Sequence, residues 1–427
     1  MAENAIQSVH FIGIGGVGMS ALAQALLDSG ARVAGSDRSL GGDGGLTPVL
    51  SALRRQGVRL FPDDGSGIDA DTSRVVVSTA VEDTNPGLVR ARSLGIPVTH
   101  RAAALAEALA PRRLVAVAGT CGKSTVTAIL GHVLAQCGFD PVVVNGAQIA
   151  GWDEGGSRVG STRRGSGELA VAEVDESDKS LVAFSPYAAI VTNASADHYS
   201  KEEMDAVFDA FLEGVPGPVL DGRRERIEPS PAARSVPMPG EHNAVNAECA
   251  LRMAVMLGAD EADAAAALRT FPGVERRLQR VGAARAGGHE VAVFDDYAHN
   301  PEKLRAMLVT LQAASPRGVA VTWRPHGFAP LRKMKDALAE MFRATLRPQD
   351  LLVLLPVYDA GGTTDRSMNA DALAAALDGC PATLADGLDS AERLLRGRMQ
   401  DFDAVVVAGA RDPGLPLLAR SLARTAQ

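Results

Sequence analysis

The sequence has no apolar run near the ~20 residues that a membrane-crossing helix needs, and its opening MAENAIQS offers neither a basic start nor an apolar secretory segment. The expectation is a cytoplasmic protein without a membrane partner. Cysteine is scarce: Cys121, Cys137, Cys249 and Cys380 stand far apart, with none of the paired spacings of zinc ribbons or disulfide frameworks. Positive charge is in deficit, 43 Lys and Arg against 51 Asp and Glu, for a formal net charge of -8. That balance argues against a nucleic acid polymer as partner, because phosphate-backbone binding draws on a clustered surplus of cations. It leaves open small anions held locally by backbone amides. No internal repeat of fixed short period is visible either.

What is present is the balance of a soluble globular chain, 46% hydrophobic and 22% charged, in 427 residues that suggest two to four domains. Residues 9–14, 31–35, 75–78 and 96–99 read as strands, with a glycine turn and a helix over 21–29 between the first two. Such alternation predicts parallel βαβ units. Residues 40–47 are glycine-rich and read as a loop. After a junction at 111–113, a strand over 114–118 starts a second block. It continues through a loop or hairpin at 152–168, buried strands at 169–174 and 188–193, an aperiodic stretch at 221–239, and helices at 244–257 and 262–268. The third block, from about Arg277, shows strands at 291–294, 319–323, 351–355 and 404–408 and helices at 301–314 and 331–346. All three blocks read as α/β.

The strand at 114–118 runs into Gly119-Thr120-Cys121-Gly122-Lys123-Ser124-Thr125. Glycines at a strand end expose N–H groups to phosphate oxygens, and the following helix aims its partially positive end at them. A lysine there neutralises β/γ-phosphate charge, and the next hydroxyl can ligate Mg2+. The alternative is a strand-to-helix turn that happens to hold a lysine. Two further strand ends bear on the choice. VAEVDESD puts Glu173 where a carboxylate would project beside the loop toward a metal, and IVTNASADH puts Asp197 and His198 after the next strand. Taken alone, Glu173 reads equally as a solvated strand end and His198 as a structural or exposed histidine. Far upstream, GIGGVG at residues 13–18 fits a dinucleotide fingerprint, with Asp37 following Gly18 by 19 residues. The same physics accepts any pyrophosphate, a nicotinamide cofactor or a UDP-sugar alike.

In order along the chain, HFIGIGGVGMS, GSD, GTCGKST, VNG, AEVDESD, IVTNASADH, GEHNAVNAECAL, RRLQ, DDYAHNP and RPHGF resemble the Mur ligases, ATP-dependent amide-forming enzymes of peptidoglycan synthesis, and among them the alanine-adding branch. The resemblance implies an α/β protein of three domains. These are a Rossmann-like one for a UDP-sugar (1–110), a central P-loop ATPase-like one (111–276) and a C-terminal Rossmann-like one (277–427) that closes over ATP and delivers an amino acid. It implies ATP and Mg2+ as cofactors, a UDP-N-acetylmuramate-type acceptor, and a monomer or homodimer. It gives ATP to Gly119, Thr120, Gly122, Lys123, Ser124, Thr125, Asn243, Asn246, Arg277, Asp296 and His299. Magnesium goes to Ser124, Glu173 and His198, with Lys123, Glu173 and His198 catalytic, and the UDP-sugar to Gly15, Gly16, Ser36 and Asp37. Without the resemblance, Asn243 reads as a helix cap and Asp296 and His299 as a turn before Pro301.

The pattern also departs from the family. Only 44 residues separate His198 from His242, so strands of the central domain are expected to be missing, and Gly327 in RPHGF stands where the family commonly has Arg. DYAHNP looks more like the branch that adds diaminopimelate or lysine, or like cyanophycin synthetase. The absence of lysine from 202 to 221 matches the alanine-adding and murein-peptide-adding branches. Recycling of a murein peptide, a specialised amide ligase, a non-catalytic Mur-like binder and a nicotinamide-dependent oxidoreductase are the competing readings.

Overall fold

Where short β-branched runs alternate with helical stretches, the chain builds three sheets of mostly parallel strands. The computed structural model describes residues 7–424 except 43–44, 176–179, 195–200 and 360–364. The first sheet holds β1 (Ser8–Ile12), β2 (Arg32–Asp37), β3 (Arg59–Pro62), β4 (Arg74–Val77) and β5 (Val98–His100), all parallel, in the order β3-β2-β1-β4-β5. Helices α1 (Val17–Asp28), α2 (Pro48–Arg55), α3 (Pro86–Ser93) and α4 (Arg101–Leu109) connect and follow them. The chain winds outward from β1 to β3 and resumes on the other side with β4. The glycine loop after β1 thus opens at the point where strand order reverses, the usual crevice for a ligand in such sheets.

The second sheet runs β11-β10-β6-β9-β7-β8, from β6 (Arg113–Ala118), β7 (Val142–Val144), β8 (Thr162–Arg163), β9 (Leu169–Glu173), β10 (Ala188–Val191) and β11 (Val219–Asp221), with only β8 antiparallel. Its helices are α5 (Lys123–Gln136), α6 (Lys201–Glu213), α7 (Glu241–Met256) and α8 (Glu261–Leu268). All-apolar runs such as that of β6 are what a parallel strand covered on both faces requires.

The third sheet runs β12-β13-β17-β14-β15-β16, from β12 (Gln279–Ala286), β13 (His289–Asp296), β14 (Val319–Trp323), β15 (Leu351–Leu354), β16 (Ala382–Leu384) and β17 (Ala404–Ala408). Helices α9 (Pro301–Ala313), α10 (Phe328–Thr345), α11 (Ala370–Ala375), α12 (Leu388–Arg398) and α13 (Gly414–Leu422) link its strands and close the chain. Pro301 opens α9 at its first turn and the Asn300 side chain accepts from the Lys303 N–H, a start specified locally. The sequence reading finds β13 but not β12. The two pair as an antiparallel hairpin through Gly287 and Gly288, at φ 55° and 80°, a two-residue turn that matches strand twist.

Two compact units result, one of Met1–Pro237 with Asn243–Val274, the other of Met238–His242 with Glu275–Gln427. In the first, one apolar cluster runs from Phe11 and Leu22 to Ala116, Val191 and Phe208, so the first two sheets share a core. Phe11 and Phe208, both 0% exposed, each contribute roughly 1.5–3 kcal/mol by burial. A two-pronged ion pair fixes the same junction, Arg158 Nη1 and Nη2 reaching Asp28 Oδ1 and Oδ2 at 2.9 and 2.5 Å. Among the described residues no helix is long and apolar enough to cross a membrane.

Candidate active site

In the second sheet, β6 lies between β9 and β10, parallel to both, so the loop leaving β6 is flanked by the ends of its two neighbours. That loop is shaped from β10. Thr120 N–H donates to the Asn193 carbonyl at 3.1 Å, Cys121 N–H donates to Asn193 Oδ1 at 3.0 Å, and Asn193 Nδ2 returns a bond to the Cys121 carbonyl at 2.9 Å. Thr192 Oγ1 donates to the same carbonyl at 2.6 Å. Gly119 (φ 121°) and Gly122 (φ 89°) are in backbone regions that side chains avoid, and each lacks room for one. A Cβ on Gly119 would come within 2.2 Å of Thr192 Oγ1, and one on Gly122 within 2.4 Å of Asn246 Oδ1. Thr192 and Asn193 were legible only as a strand end, and their hold on the loop was missed.

With the Thr120 and Cys121 amides engaged by Asn193, the first turn of α5, from Lys123, supplies the donors that face outward by the geometry of any helix start. Ser124 and Thr125 are buried there, and Lys123 Nζ lies over the loop, donating to the Gly119 carbonyl at 2.6 Å. Asn246 and Asn243, both buried on α7, sit in the same unit.

Glu173 ends β9, and its Oε2 accepts from the Gly146 N–H at 2.8 Å. The VNG stretch therefore orients this carboxylate, since a side chain at 146 would overlap it. Beside it opens a cleft of about 330 Å³ lined by Gly16, Gly18, Ser78, Arg101, Asn145 and Glu173 among others. One cavity thus joins the glycine loop after β1 to the acid at the end of β9. Arg101 borders it, its guanidinium packed against Gly18 and 3.8 Å from Asp175. Sequence reasoning did not single out Arg101, although its position as the first residue of α4, directly after β5, was a signal. His198 and Asp197 lie outside the described residues.

At the first glycine loop, Asp37 Oδ2 accepts from the Gly15 N–H at 2.9 Å and Oδ1 from the Ser39 N–H at 3.0 Å. This acid orders the loop itself. Gly16 precedes α1 as its cap. Ser36 is 2% exposed and lies beneath the loop, with Oγ 3.4 Å from His10 Nε2. Burial pulls His10 down to about 4, so this histidine is neutral at pH 7.

Arg277, Asp296 and His299, singled out by the resemblance, lie in the second unit. Asp296 is buried, its Oδ1 accepting from Ala298 N–H at 2.7 Å in the turn after β13 and its Oδ2 from Leu278 N–H at 2.6 Å in the segment that enters β12. Burial raises its pKa, against the neighbouring N–H groups and Arg277. His299 Nδ1 lies 2.9 Å from the Tyr297 carbonyl and its ring meets that of His326 edge-on, centroids 4.9 Å apart. Burial, reinforced by Lys303, brings His299 to about 3. Arg277 stacks over Tyr297, 5.5 Å from the ring centre. Gly327 caps α10 with extended backbone, φ 161°.

The Gly119–Lys123 loop leaves β6 between two parallel neighbours, with an acid at its side and a second glycine loop in the same unit. Residues 8–113 match the family model described as Mur ligase family, catalytic domain, and residues 276–411 that of the Mur ligase, glutamate ligase domain. The chain belongs to the Mur ligase family. It is similar to the UDP-N-acetylmuramate–L-alanine ligase of Xanthomonas oryzae pv. oryzae, at 33% identity over 464 aligned positions that cover 96% of this chain and 94% of that one. It is equally similar to that of a Mycobacterium species, 33% identical with 95% and 93% covered. Those 464 positions exceed the 427 residues present, so the Xanthomonas relative has segments that this chain lacks. Among solved structures, the UDP-N-acetylmuramate-alanine ligase of Thermotoga maritima aligns with a TM-score of 0.77 at 25% identity, over 97% of this chain and 98% of its own. A murein peptide ligase from Psychrobacter arcticus shares the fold, with a TM-score of 0.65 at 20% identity over 97% and 98% of the chains.

Proposed function

We propose that this protein joins L-alanine to the carboxylate of UDP-N-acetylmuramate at the expense of ATP, a step of peptidoglycan precursor synthesis. The observation that carries the reading is the shared cleft in which Glu173, beside the Gly119–Lys123 loop, faces the glycine loop at Gly16 and Gly18. A triphosphate on one loop and a UDP-sugar on the other would bring a γ-phosphoryl group and an acceptor carboxylate to one place. We assign residues 1–110 to the acceptor, 111–276 to ATP and 277–427 to the amino acid.

A carboxylate resists attack by an amine because its charge repels the nucleophile and oxide is a poor leaving group. Transfer of the γ-phosphoryl group to a carboxylate oxygen gives an acyl phosphate and ADP. The neutral amine then attacks the acyl carbon, and phosphate departs as the amide forms. In this reading Lys123 swings from the Gly119 carbonyl onto the β/γ-phosphates, and the first-turn amides of α5 hold their oxygens. The oxygen donors Ser124 and Glu173 suit a hard divalent cation, Glu173 being already oriented by the Gly146 N–H, and His198 is assigned to a second one. Magnesium bound there supplies charge neutralisation of the transferring oxygens.

The test is phosphate release by the purified protein with ATP, Mg2+ and UDP-N-acetylmuramate, across a panel of amino acids and one murein tripeptide. L-Alanine should give the highest kcat/KM, and Lys123→Ala should abolish release while UDP-N-acetylmuramate affinity stays within about twofold, since the acceptor loop is separate. Unchanged turnover in Lys123→Ala removes the assignment. Preference for the tripeptide makes it a recycling ligase, and tight NADH binding in place of the UDP-sugar makes it an oxidoreductase.

A further inference from the structure

In the third sheet, the chain runs outward from β14 to β15 and β16 and then returns to β17, which pairs with β14 in register, Trp323 opposite Ala408. The ends of β14 and β17 therefore form a point of strand-order reversal within this sheet, where open α/β sheets bind ligands. Two loops meet there, residues 324–327 and 409–413. They are tied by an ion pair between Arg324 Nη1 and Asp412 Oδ2, and Asp412 Oδ1 accepts from the Gly414 N–H at 2.8 Å. The carboxylate of this crevice is thus engaged on both oxygens.

Arg411 sits at the apex of the second loop. Its φ is 65°, in the left-handed region, and the Asp412 N–H donates back to the Ala410 carbonyl at 2.8 Å across it, so the chain makes a tight three-residue turn around an arginine. Bulky residues seldom adopt this backbone, and strain of this kind gathers at ligand-binding positions. The side chain is exposed, and among the described residues Arg411 has no ion-pair partner. Its surroundings are cationic. Arg411 and Lys303 both disfavour a charged His326, and Lys303 and Arg277 do the same to His299. Opposite, Gly327 contributes no side chain, and a Cβ there would touch only Pro330 at 3.4 Å.

We propose that Arg411 recognises the α-carboxylate of the amino-acid substrate. An uncompensated guanidinium at a switch-point crevice, next to imidazoles kept neutral and a loop cleared of bulk at Gly327, suits a small planar anion that arrives with its own compact body. Arginine's fork is the geometry that binds a carboxylate through two hydrogen bonds. The inference rests on the ligase reading above.

Arg411→Gly removes the guanidinium and relaxes the backbone, so folding is kept. With the full-length enzyme, the KM for L-alanine should rise about 10- to 100-fold, the worth of a lost charge-assisted pair, while the KM values for ATP and UDP-N-acetylmuramate stay within about twofold. L-Alaninamide, which has the amine but no carboxylate, should be used equally by the wild type and Arg411→Gly. An alanine KM within about twofold of wild type in Arg411→Gly, or an equal loss toward alanine and alaninamide, overturns the proposal. A wild-type protein that releases phosphate with no amino acid instead removes the ligase reading, and this one with it.

Discussion

At the residue scale, the glycines divide by what surrounds them. Gly122 combines φ 89° with Asn246 Oδ1 in the space a side chain would need, whereas Gly327 is extended and open. Gly122→Ala is expected to cost about 1–3 kcal/mol in backbone strain and displacement of Asn246, and to weaken binding of an ATP analogue at least about tenfold. Gly327→Ala should change stability by less than about 0.5 kcal/mol. Thermal melts with calorimetric titration of both variants separate the two cases, and equal behaviour would contradict the geometry. Nothing in the backbone at 327 therefore demands glycine.

At the element scale, the shape of the Gly119–Lys123 loop is a property of β10 as much as of β6. Asn193→Ala removes the bonds to Cys121 and leaves the strands in place, so the affinity for an ATP analogue should fall about 10- to 100-fold while UDP-sugar binding is unchanged. Retained nucleotide affinity would show that the first turn of α5 suffices alone. This dependence also marks how far the sequence could be read. The runs that became β1, β6, β9, β13, β14 and β17 were visible because parallel strands covered on both faces need unbroken apolar stretches. So were the two glycine loops, whose chemistry is local. Short or half-exposed elements such as β3, β12 and α2 carry no such run, although the Gly287-Gly288 pair marks the β12–β13 turn. Asn193 and Asn246 against the loop and Arg101 beside Asp175 are tertiary meetings that spacing cannot encode. The carboxylate of Asp296 joins the turn after β13 to the residue before β12, another meeting of distant positions.

At the scale of the whole molecule, burial sets the response to acid. His10, His299 and His326 are lowered to about 4, 3 and 4, and His132 and His242 are lowered by the same desolvation. Unfolded, each would titrate near about 6.5, so as pH falls from about 6.5 toward 4 the unfolded chain takes up protons that the folded one refuses, and stability is lost. Asp295, raised to about 6 by burial despite Arg276, and Asp296, also raised, act oppositely within part of that window. Five histidines outweigh two aspartates, and the urea midpoint should be lower at pH 5 than at pH 7; a higher midpoint at pH 5 would mean that the aspartates dominate. Finally, the loop that begins at Gly119 is completed by partners far along the chain: Asn193 reaches Cys121 across 72 positions, and Asn246 follows later still. A ribosome that has just added Lys123 has made every residue of the glycine-lysine motif but not its shape. A nascent chain should acquire nucleotide affinity only after α7 has emerged from the exit tunnel, late in translation of the first unit.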